Sequence, residues 1–573
     1  MSALLLVALG LGGFTLGYFF YSKFISERIF RLDPAFVTPA HAQEDGVDFV
    51  PTNRWVLWGH HFTSVAGAAP IVGPAIAVIW GWLPAFLWVV FGTVFFAGIH
   101  DAGALWASAR NRGKSMGALT ESVVGRRARS LFMIVIFLLL LMVNAVFAII
   151  IARLFVDFPS SVIPAWFVIA VALAIGWLLY RRGVALFWPS LIALVLLYAS
   201  MWVGDAFPVA LPGAIAGLDV PAQWVLLLFA YAAVASLLPV WVLLQPRDYI
   251  NGLQLFVGLA IFFLAVILAA PNVVAPAVNS NLPADVPAFF PLLFVTIACG
   301  AISGFHGLVS SGTTSKQLDK ETDVRFVGFL GATGEGALAL AAIIACTAGF
   351  ATLTEWEGFY QSFTSGGLGA FVQGGGSIIS NGLGLPQHFG ETLLAVMAVL
   401  FAATTMDTGV RLQRYIIQEW GSIYGIHRLT GRYLSTSIAV VACLALAFGA
   451  GGGAGTGGLV IWPLFGTTNQ LLAGLTLLVL SVFLMKLGRR SRFTLVPFVF
   501  LITMATWALL VQLRQFWERE QYFLVFLDLV ILVATIFVVL ESMGALRQAH
   551  SARAAERAAV GQGGGGTGAG SGS

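Results

Sequence analysis

The chain has 573 residues, of which 59% are hydrophobic and only 10% are charged, and its mean hydropathy is +0.91. A soluble domain carries about a quarter charged residues, so this chain cannot cover its outside with polar groups and we expect it to be embedded in lipid. The net charge of +4 arises from short basic clusters between apolar runs, a pattern typical of membrane topology and not of nucleic-acid binding.

A helix needs about twenty apolar residues to cross a bilayer, and on this basis we predict an all-α protein with about fifteen spans. The first apolar run has no basic segment in front of it, so we interpret it as a retained transmembrane helix and not as a signal peptide. The predicted spans are residues 3–22, 63–81, 83–109, 131–153, 163–180, 184–203, 222–244, 251–270, 288–309, 326–349, 388–408, 433–450, 459–485, 493–513 and 521–541.

Lysine and arginine fall in alternate loops, and this alternation predicts the orientation. Basic clusters occur at residues 23–31, 110–129, 316–325 and 486–492, whereas residues 350–410 contain neither residue type. The positive-inside rule then places the N-terminus outside and the C-terminus in the cytoplasm of a multi-pass inner-membrane protein. This arrangement requires an odd number of spans, in agreement with the count.

Glycine and proline interrupt several spans, at residues 59–74, 231–241 and 300–314. Interruptions at corresponding places in two halves of a chain point to a transporter site. The Pro70 region and the region from Ser236 to Pro239 are five spans apart on helices of opposite direction, as an inverted five-helix repeat requires. The alternative is that both residue types are simply commoner in membrane helices. The predicted division is a first helix with a cytoplasmic linker (1–62), a first core repeat (63–203), a second core repeat (222–410), peripheral helices (411–541) and a flexible cytoplasmic tail (542–573).

Ionisable residues inside spans are costly unless they are paired, so they are candidate functional residues. Asp101, beside His100, lies in the third span, and Glu335 lies in the tenth. Neither carboxylate has a Lys or Arg within a turn, so any partner must come from another helix. A buried carboxylate without a cation favours its protonated form, and we therefore predict that at least one of them couples transport to protons. His61 and His306 are further candidates within spans.

Other polar residues in or near the spans allow simpler interpretations. Asp407 either faces the cytoplasm or takes part in function. Asp528 lies outside the proposed repeat, so we predict a structural hydrogen bond, and Asn144 is interpreted as an interhelical contact. Arg247 and Asp248 are expected to form an exposed ion pair of little energetic consequence.

Hydroxyl groups cluster at the inner end of the ninth span, including Ser303, Ser310 and Thr313. They suit a monovalent cation or a substrate carboxylate, although hydrogen bonds back to the helix backbone are the common alternative. The glycine runs at 374–376 and 451–453 are not followed by the Lys-Ser/Thr of a phosphate loop, and we predict no cofactor. The three cysteines lie within apolar runs and are interpreted as small buried side chains.

Six long stretches occur in chain order: VPTNRWVLWGHHF (50–62), GAAPIVGP (67–74), ASLLPVWVLLQPRDY (235–249), CGAISGFHGLVSSGTT (299–314), TTMDTGVRLQRYIIQE (404–419) and WPLFGTTNQLLA (462–473). They resemble the carbon starvation protein A family. The resemblance implies a bacterial cytoplasmic-membrane transporter with a core similar to the LeuT fold, which takes up peptides or, in some members, pyruvate, driven by protons. The resemblance implies that the first broken helix lies at Gly67, Ala68, Ala69 and Pro70. It also implies that the inverted partner of this helix lies at Ser236, Leu237 and Pro239. Ser303 and His306 would lie on a helix packed against the first broken helix.

The leading hypothesis is a proton-coupled symporter whose substrate site combines the residues matched by this resemblance. The chain differs from many members in having His100 where they have Gln, so a sodium-coupled symporter of the same fold stays open. A channel and a membrane-embedded metal enzyme are less favoured, since we find neither repeated pore subunits nor an HExxH-like motif. The predicted coupling residues are Asp101, Glu335, His61, His100, Ser310 and Thr313.

Overall fold

The computed structural model describes residues 1–46, 48–182, 187–215, 217–239, 242–363, 365–450 and 457–563. Within these ranges the protein is helical, and its β-structure is limited to three isolated bridges, which confirms the predicted all-α class. The glycine run at 451–453 and the last part of the predicted tail, 564–573, lie outside the described residues. All three cysteines are buried and unpaired, as the apolar runs around them predicted.

We label the segments that traverse the molecule α1 to α15. Two of them are interrupted, and α5 and α6 form a hairpin. Their bounds are α1 Ala3–Phe30, α2 Arg54–Val65 and Ala69–Trp80, α3 Trp82–Arg110, α4 Arg126–Asp157, α5 Val162–Arg182, α6 Phe187–Ala206, α7 Val220–Leu237, α8 Leu244–Ala269, α9 Phe289–Thr296, Ala298–Ala301 and Gly304–Gly312, α10 Arg325–Ala348, α11 Gln387–Ile423, α12 Arg432–Gly449, α13 Gly457–Lys486, α14 Arg492–Glu518 and α15 Tyr522–Gly563. Shorter helices cover Pro39–Ala42, Met116–Val123, Leu353–Phe359 and Gly367–Leu383.

Thirteen of the described helices are long and apolar enough to cross a bilayer, and the bent pair in α2 makes a fourteenth. The predicted spans 63–81 and 288–309 are therefore not continuous helices. The segment α9 still joins opposite faces of the molecule. Ser2 bridges to Asn272 at one end of α1, while beyond its other end the Asp33 N–H donates to the Glu321 carboxylate at 2.6 Å. Because α1 has 28 residues and is about 42 Å long, the chain between Asn272 and Glu321 must cross.

The loops group on two faces, and the basic loops share one of them. Thr52 bridges to Leu318, and the Arg110 guanidinium pairs with the Glu321 carboxylate. Lys486 donates to the Val123 carbonyl at 2.8 Å on this same face. This grouping agrees with the alternation of basic loops along the sequence. Which face is cytoplasmic stays a prediction.

Two sets of five helices have matching order and opposite direction. We assign α2, α3, α4, α7 and α8 to the first repeat and α9 to α13 to the second, with the α5–α6 hairpin inserted in the first. The equivalent helices α2 and α9, α4 and α11, and α7 and α12 pack against each other. In this assignment the repeats span Arg54 to Ala269 and Phe289 to Lys486, whereas the sequence analysis predicts 63–203 and 222–410, and the division of the chain stays a prediction. Of the predicted peripheral region 411–541, only α14 and α15 lie outside the repeats.

The predicted second break, Ser236 to Pro239, is the end of a helix and not an interruption within one. The α7 helix ends at Leu237 and Leu238 is extended, as expected before a proline. Arg411 donates to the Ala235 and Leu238 carbonyls at 2.9 and 2.7 Å, and Arg414 donates to the Ser236 carbonyl at 2.8 Å. These guanidinium groups cap carbonyls at the negative end of α7. The assignment of Ser236, Leu237 and Pro239 to a broken core helix is thus corrected, and the second break lies in α9.

Candidate functional site

The break in α2 exposes backbone amide groups in the interior of the protein. The helix stops at Val65 and resumes at Ala69 with a bend of 52°. Ile71 and Val72 donate to the Ala68 carbonyl at 3.0 Å each and Pro70 has no N–H, so the free amide of this first turn is that of Ala69, which no side chain of the described residues caps. Gly67 at the break is buried, and a β-carbon there would come within 2.9 Å of the Thr405 hydroxyl and 3.0 Å of the Phe147 ring. The break therefore adjoins α4 and α11.

The break in α9 is held by a side chain from α13. Ile302 and Ser303 are extended between two helical pieces. Asn469 accepts a hydrogen bond from the Phe305 N–H at 3.0 Å and donates to the Cys299 sulfur at 2.9 Å and the Ser303 hydroxyl at 3.1 Å. Asn469 thus supplies the cap that the sequence before the helix lacks. Sequence reasoning missed it, although Asn469 lies in one of the stretches that carried the family resemblance.

Three buried ionisable side chains form a triad, Asp101, His306 and Glu335. His306 Nδ1 lies 2.8 Å from Asp101 Oδ2, and His306 Nε2 lies 2.7 Å from Glu335 Oε2. The ring nitrogens therefore face one carboxylate each, and none of the three residues is more than 2% exposed. His100 Nδ1 lies 2.7 Å from the second oxygen of Asp101. Asp101 and Glu335 were each expected to have a partner from another helix, and His306 is the partner of both.

The triad joins the two repeats, because Asp101 lies on α3 whereas His306 and Glu335 lie on α9 and α10. His306 is in the first turn after the α9 break. His61 lies close by: its Nδ1 is 2.9 Å from the Thr314 hydroxyl, and its ring fills the space that a side chain at Gly331 would take. The triad therefore connects the interrupted helix of one repeat with the other repeat.

The remaining predicted residues have different surroundings in the structure. Ser310 is buried with its hydroxyl unpartnered among the described residues, whereas Thr313 is exposed and donates to the Val309 carbonyl at 3.0 Å. Asn144 joins two helices as predicted, donating to Gln413 at 3.1 Å. Both carboxylate oxygens of Asp528 are buried without a hydrogen-bond partner in the described part of the chain, so the predicted structural hydrogen bond is not formed.

A second buried charged group includes Arg247 and Asp248, which the sequence analysis predicted to be an exposed pair. Arg247 is 1% exposed and Asp407 is 0% exposed, and their side chains form an ion pair. The Tyr231 hydroxyl donates to Asp407 Oδ2 at 2.7 Å and accepts from Arg247 Nη1 at 2.6 Å. Asp248 is also buried, with Oδ1 3.5 Å from Arg247 Nη2. The predicted exposed pair was wrong because α8 begins inside the bundle, where a guanidinium requires a carboxylate.

The histidines and acids do not converge as metal ligands. Within the described ranges, no group of three His, Cys, Asp or Glu side chains has a geometry that could hold a metal ion. His100, Asp101 and His306 do come together, but their nitrogen and oxygen atoms face each other in pairs. This pairing is suited to the movement of protons.

An inverted five-helix repeat with two interrupted helices around a buried charged group is the architecture of secondary transporters with the LeuT fold. Residues 2–355 and 351–508 match the family described as Carbon starvation protein CstA. The chain belongs to this family.

Two relatives and one solved structure illustrate the similarity. The peptide transporter CstA of Campylobacter jejuni is 33% identical over 88% of this chain and 79% of its own length. The pyruvate/proton symporter BtsT of Escherichia coli is 31% identical over 89% of this chain and 81% of its own. A manganese transporter of Eremococcus coleocola, solved with an aromatic bis-isothiourea compound, is similar in fold alone, with a TM-score of 0.50, 12% identity, and coverage of 88% of this chain and 99% of that one.

Proposed function

We propose that the chain is a symporter that uses protons to import a peptide or pyruvate across the bacterial inner membrane, with the N-terminus outside and the C-terminus in the cytoplasm. The observation that carries the proposal is the buried triad of Asp101, His306 and Glu335, which joins the two repeats. The names of the relatives, peptide transporter and pyruvate/proton symporter, support the same substrate class and the same coupling ion.

The substrate site of this proposal lies between the breaks of α2 and α9. Gly67, Ala68, Ala69 and Pro70 place a positive helix end there, which suits a carbonyl oxygen of pyruvate or of a peptide. Ser303 and His306 flank the other break. The residues Ser236, Leu237 and Pro239 have no part in the site, because arginine side chains occupy the carbonyls around them.

Proton coupling follows from the arrangement of charges in the triad. With a proton on each ring nitrogen, His306 donates to Asp101 from Nδ1 and forms an ion pair with Glu335 at Nε2, and the triad has a net charge of −1. One further proton neutralises Glu335 or Asp101 and removes the need for one of the two ion pairs. Since one ion pair holds α9 to α3, the proton count and the relative position of the repeats change together. His100 contacts Asp101 at 2.7 Å and can exchange protons with the triad, whereas His61 is hydrogen-bonded to the Thr314 hydroxyl.

Sodium coupling is less well supported by the geometry. Its predicted ligands were hydroxyl groups of α9, but the Thr313 hydroxyl is committed to the Val309 carbonyl and the side chain is exposed. Of the hydroxyl run predicted on α9, Ser310 is buried and free among the described residues, whereas hydrogen bonds occupy the hydroxyls of Ser303, Ser311, Thr314 and Ser315. A single hydroxyl does not replace the several oxygen ligands of a hard cation.

Uptake into proteoliposomes tests the proposal. Purified protein would be reconstituted, and labelled pyruvate and dialanine would be supplied with or without an imposed pH gradient, acid outside. We expect accumulation above the external concentration only with the gradient, and its loss on addition of a protonophore. A sodium gradient at equal pH should not drive uptake. Downhill flux that ignores the pH gradient would instead indicate a channel, and accumulation driven by sodium would refute proton coupling.

A further inference from the structure

We propose that Arg247 is the residue that binds the carboxylate of the transported solute, and that Asp407 occupies this position when no solute is bound. The inference rests on the proposed function and names a binding residue beyond the helix breaks. It assigns the ligand chemistry of this second site: a monocarboxylate, either pyruvate or the C-terminus of a peptide.

The site has the groups that carboxylate binding requires. Arg247 presents its guanidinium to Asp407 Oδ2, and the Tyr231 hydroxyl donates to the same oxygen at 2.7 Å. A guanidinium has five N–H donors in a planar fork that matches a carboxylate. Arg247 Nε and Asp407 Oδ1 are both buried without a hydrogen-bond partner in the described part of the chain. The pair is therefore incompletely satisfied, and a second carboxylate can compete for it.

A series of contacts along α8 and α11 connects the site to the α2 break. Asn251, one turn along α8 from Arg247, donates to the Thr404 hydroxyl at 2.7 Å. The next residue, Thr405, is the one whose hydroxyl would meet a side chain at Gly67. One turn of helix, the spacing of Arg247 and Asn251 along α8, is about 5.4 Å. A solute that leaves the break towards the basic face therefore meets Arg247 next.

Further polar atoms mark a path between α8 and α11. Arg247, Asn251 and Gln254 lie on one face of α8, and all three are at most 1% exposed. Asn251 Oδ1 and both amide atoms of Gln254 have no protein partner among the described residues. Buried polar atoms at membrane depth require a partner, and where protein supplies none, water or a solute must do so.

Arg247 also differs from its neighbours Arg411 and Arg414, which donate to backbone carbonyls at the end of α7 and so have a structural role. Beside Arg247 and Tyr231 lies a cavity of about 20 Å³, otherwise lined by apolar residues that include Trp166 and Leu228. This volume holds about one water molecule and gives the guanidinium room to move. When a solute carboxylate binds the guanidinium, Asp407 still accepts the hydrogen bond from the Tyr231 hydroxyl.

The test compares carboxylates with their neutral amides. Binding of pyruvate, pyruvamide, dialanine and dialanine amide would be measured by the shift in melting temperature of the purified protein, and uptake by competition against labelled pyruvate or labelled dialanine in proteoliposomes. For the wild type we expect the carboxylate that is transported to bind about thirtyfold or more tightly than its amide. Arg247→Gln should remove this preference, whereas Asp407→Asn should keep it and bind the carboxylate more tightly, because the internal competitor is gone.

Two further variants keep the result interpretable. Arg247→Gln leaves Asp407 buried without its cation and can fail to fold, whereas the double variant Arg247→Gln with Asp407→Asn leaves no unpaired charge of this ion pair. The double variant should fold and show no preference for carboxylates. Arg514→Gln, which changes an exposed arginine on α14, should behave as the wild type.

The outcomes separate this inference from the proposed function. A wild type that takes up neither pyruvate nor dialanine would overturn both. A wild type that accumulates one of them, together with a double variant that still prefers its carboxylate to its amide by the wild-type factor, would overturn the role of Arg247 alone. Equal loss of carboxylate binding in Asp407→Asn and Arg247→Gln would also overturn it, since the pair would then be purely structural.

Discussion

At the scale of single residues, His306 contacts two carboxylates that are far apart in sequence, Asp101 and Glu335. We expect Glu335→Gln to abolish accumulation of substrate in a pH gradient and to leave counterflow exchange intact, because the amide keeps the shape of the side chain but carries no exchangeable charge. Uptake and exchange of labelled substrate in proteoliposomes measure the two activities. Glu357→Gln, a change at an exposed carboxylate, is the matched control. Loss of exchange together with accumulation would show that Glu335 serves binding and not coupling.

The sequence predicted the acidic members of the triad but not the contacts that define it. An ionisable residue within an apolar span is conspicuous because burial without a partner is so costly, and this argument selected Asp101, Glu335 and His306. The same argument failed at Arg247, which stands near a span end and has its partner 160 residues away. Asn469 is neutral, and the backbone group that it caps becomes visible only when α9 is seen to be broken.

At the scale of helices, the crossing of α2 and α9 depends on the absence of a side chain at Gly73. A β-carbon there would lie 2.5 Å from the Thr296 carbonyl oxygen, which is part of the backbone of α9. We expect Gly73→Ala to destabilise the protein by about 1–3 kcal/mol, the usual cost of overpacking, and to lower transport. Thermal unfolding in detergent measures the effect. Gly369→Ala, where the structure has open space, should be neutral or stabilising by up to about 1 kcal/mol. Equal stability of the two variants would contradict the tight crossing.

Hydropathy located the apolar segments but not their grouping into repeats. The predicted break at residues 236–239 and the observed break at Ile302 and Ser303 each combine a serine with large aliphatic residues, so composition does not distinguish them. They differ in what surrounds them: arginine side chains cap the end of α7, whereas Asn469 holds α9 on both sides of its break. The sequence analysis counted α5 and α6 as helices of the first repeat. Hydropathy does not show that this hairpin is an insertion, because only packing distinguishes an inserted helix from a repeat helix.

For the whole molecule, the two faces defined by the loops give the orientation a direct test. The basic loops share one face, and by the positive-inside rule we expect that face to be cytoplasmic. The native cysteines are buried, so single introduced cysteines can be labelled on a low background. With a membrane-impermeant maleimide, Gly358→Cys should react in intact cells, and Glu44→Cys should react only after the membrane is opened; both positions are exposed, on opposite faces. The reverse pattern would invert the orientation, and the path past Arg247 would then lead from the α2 break to the outside.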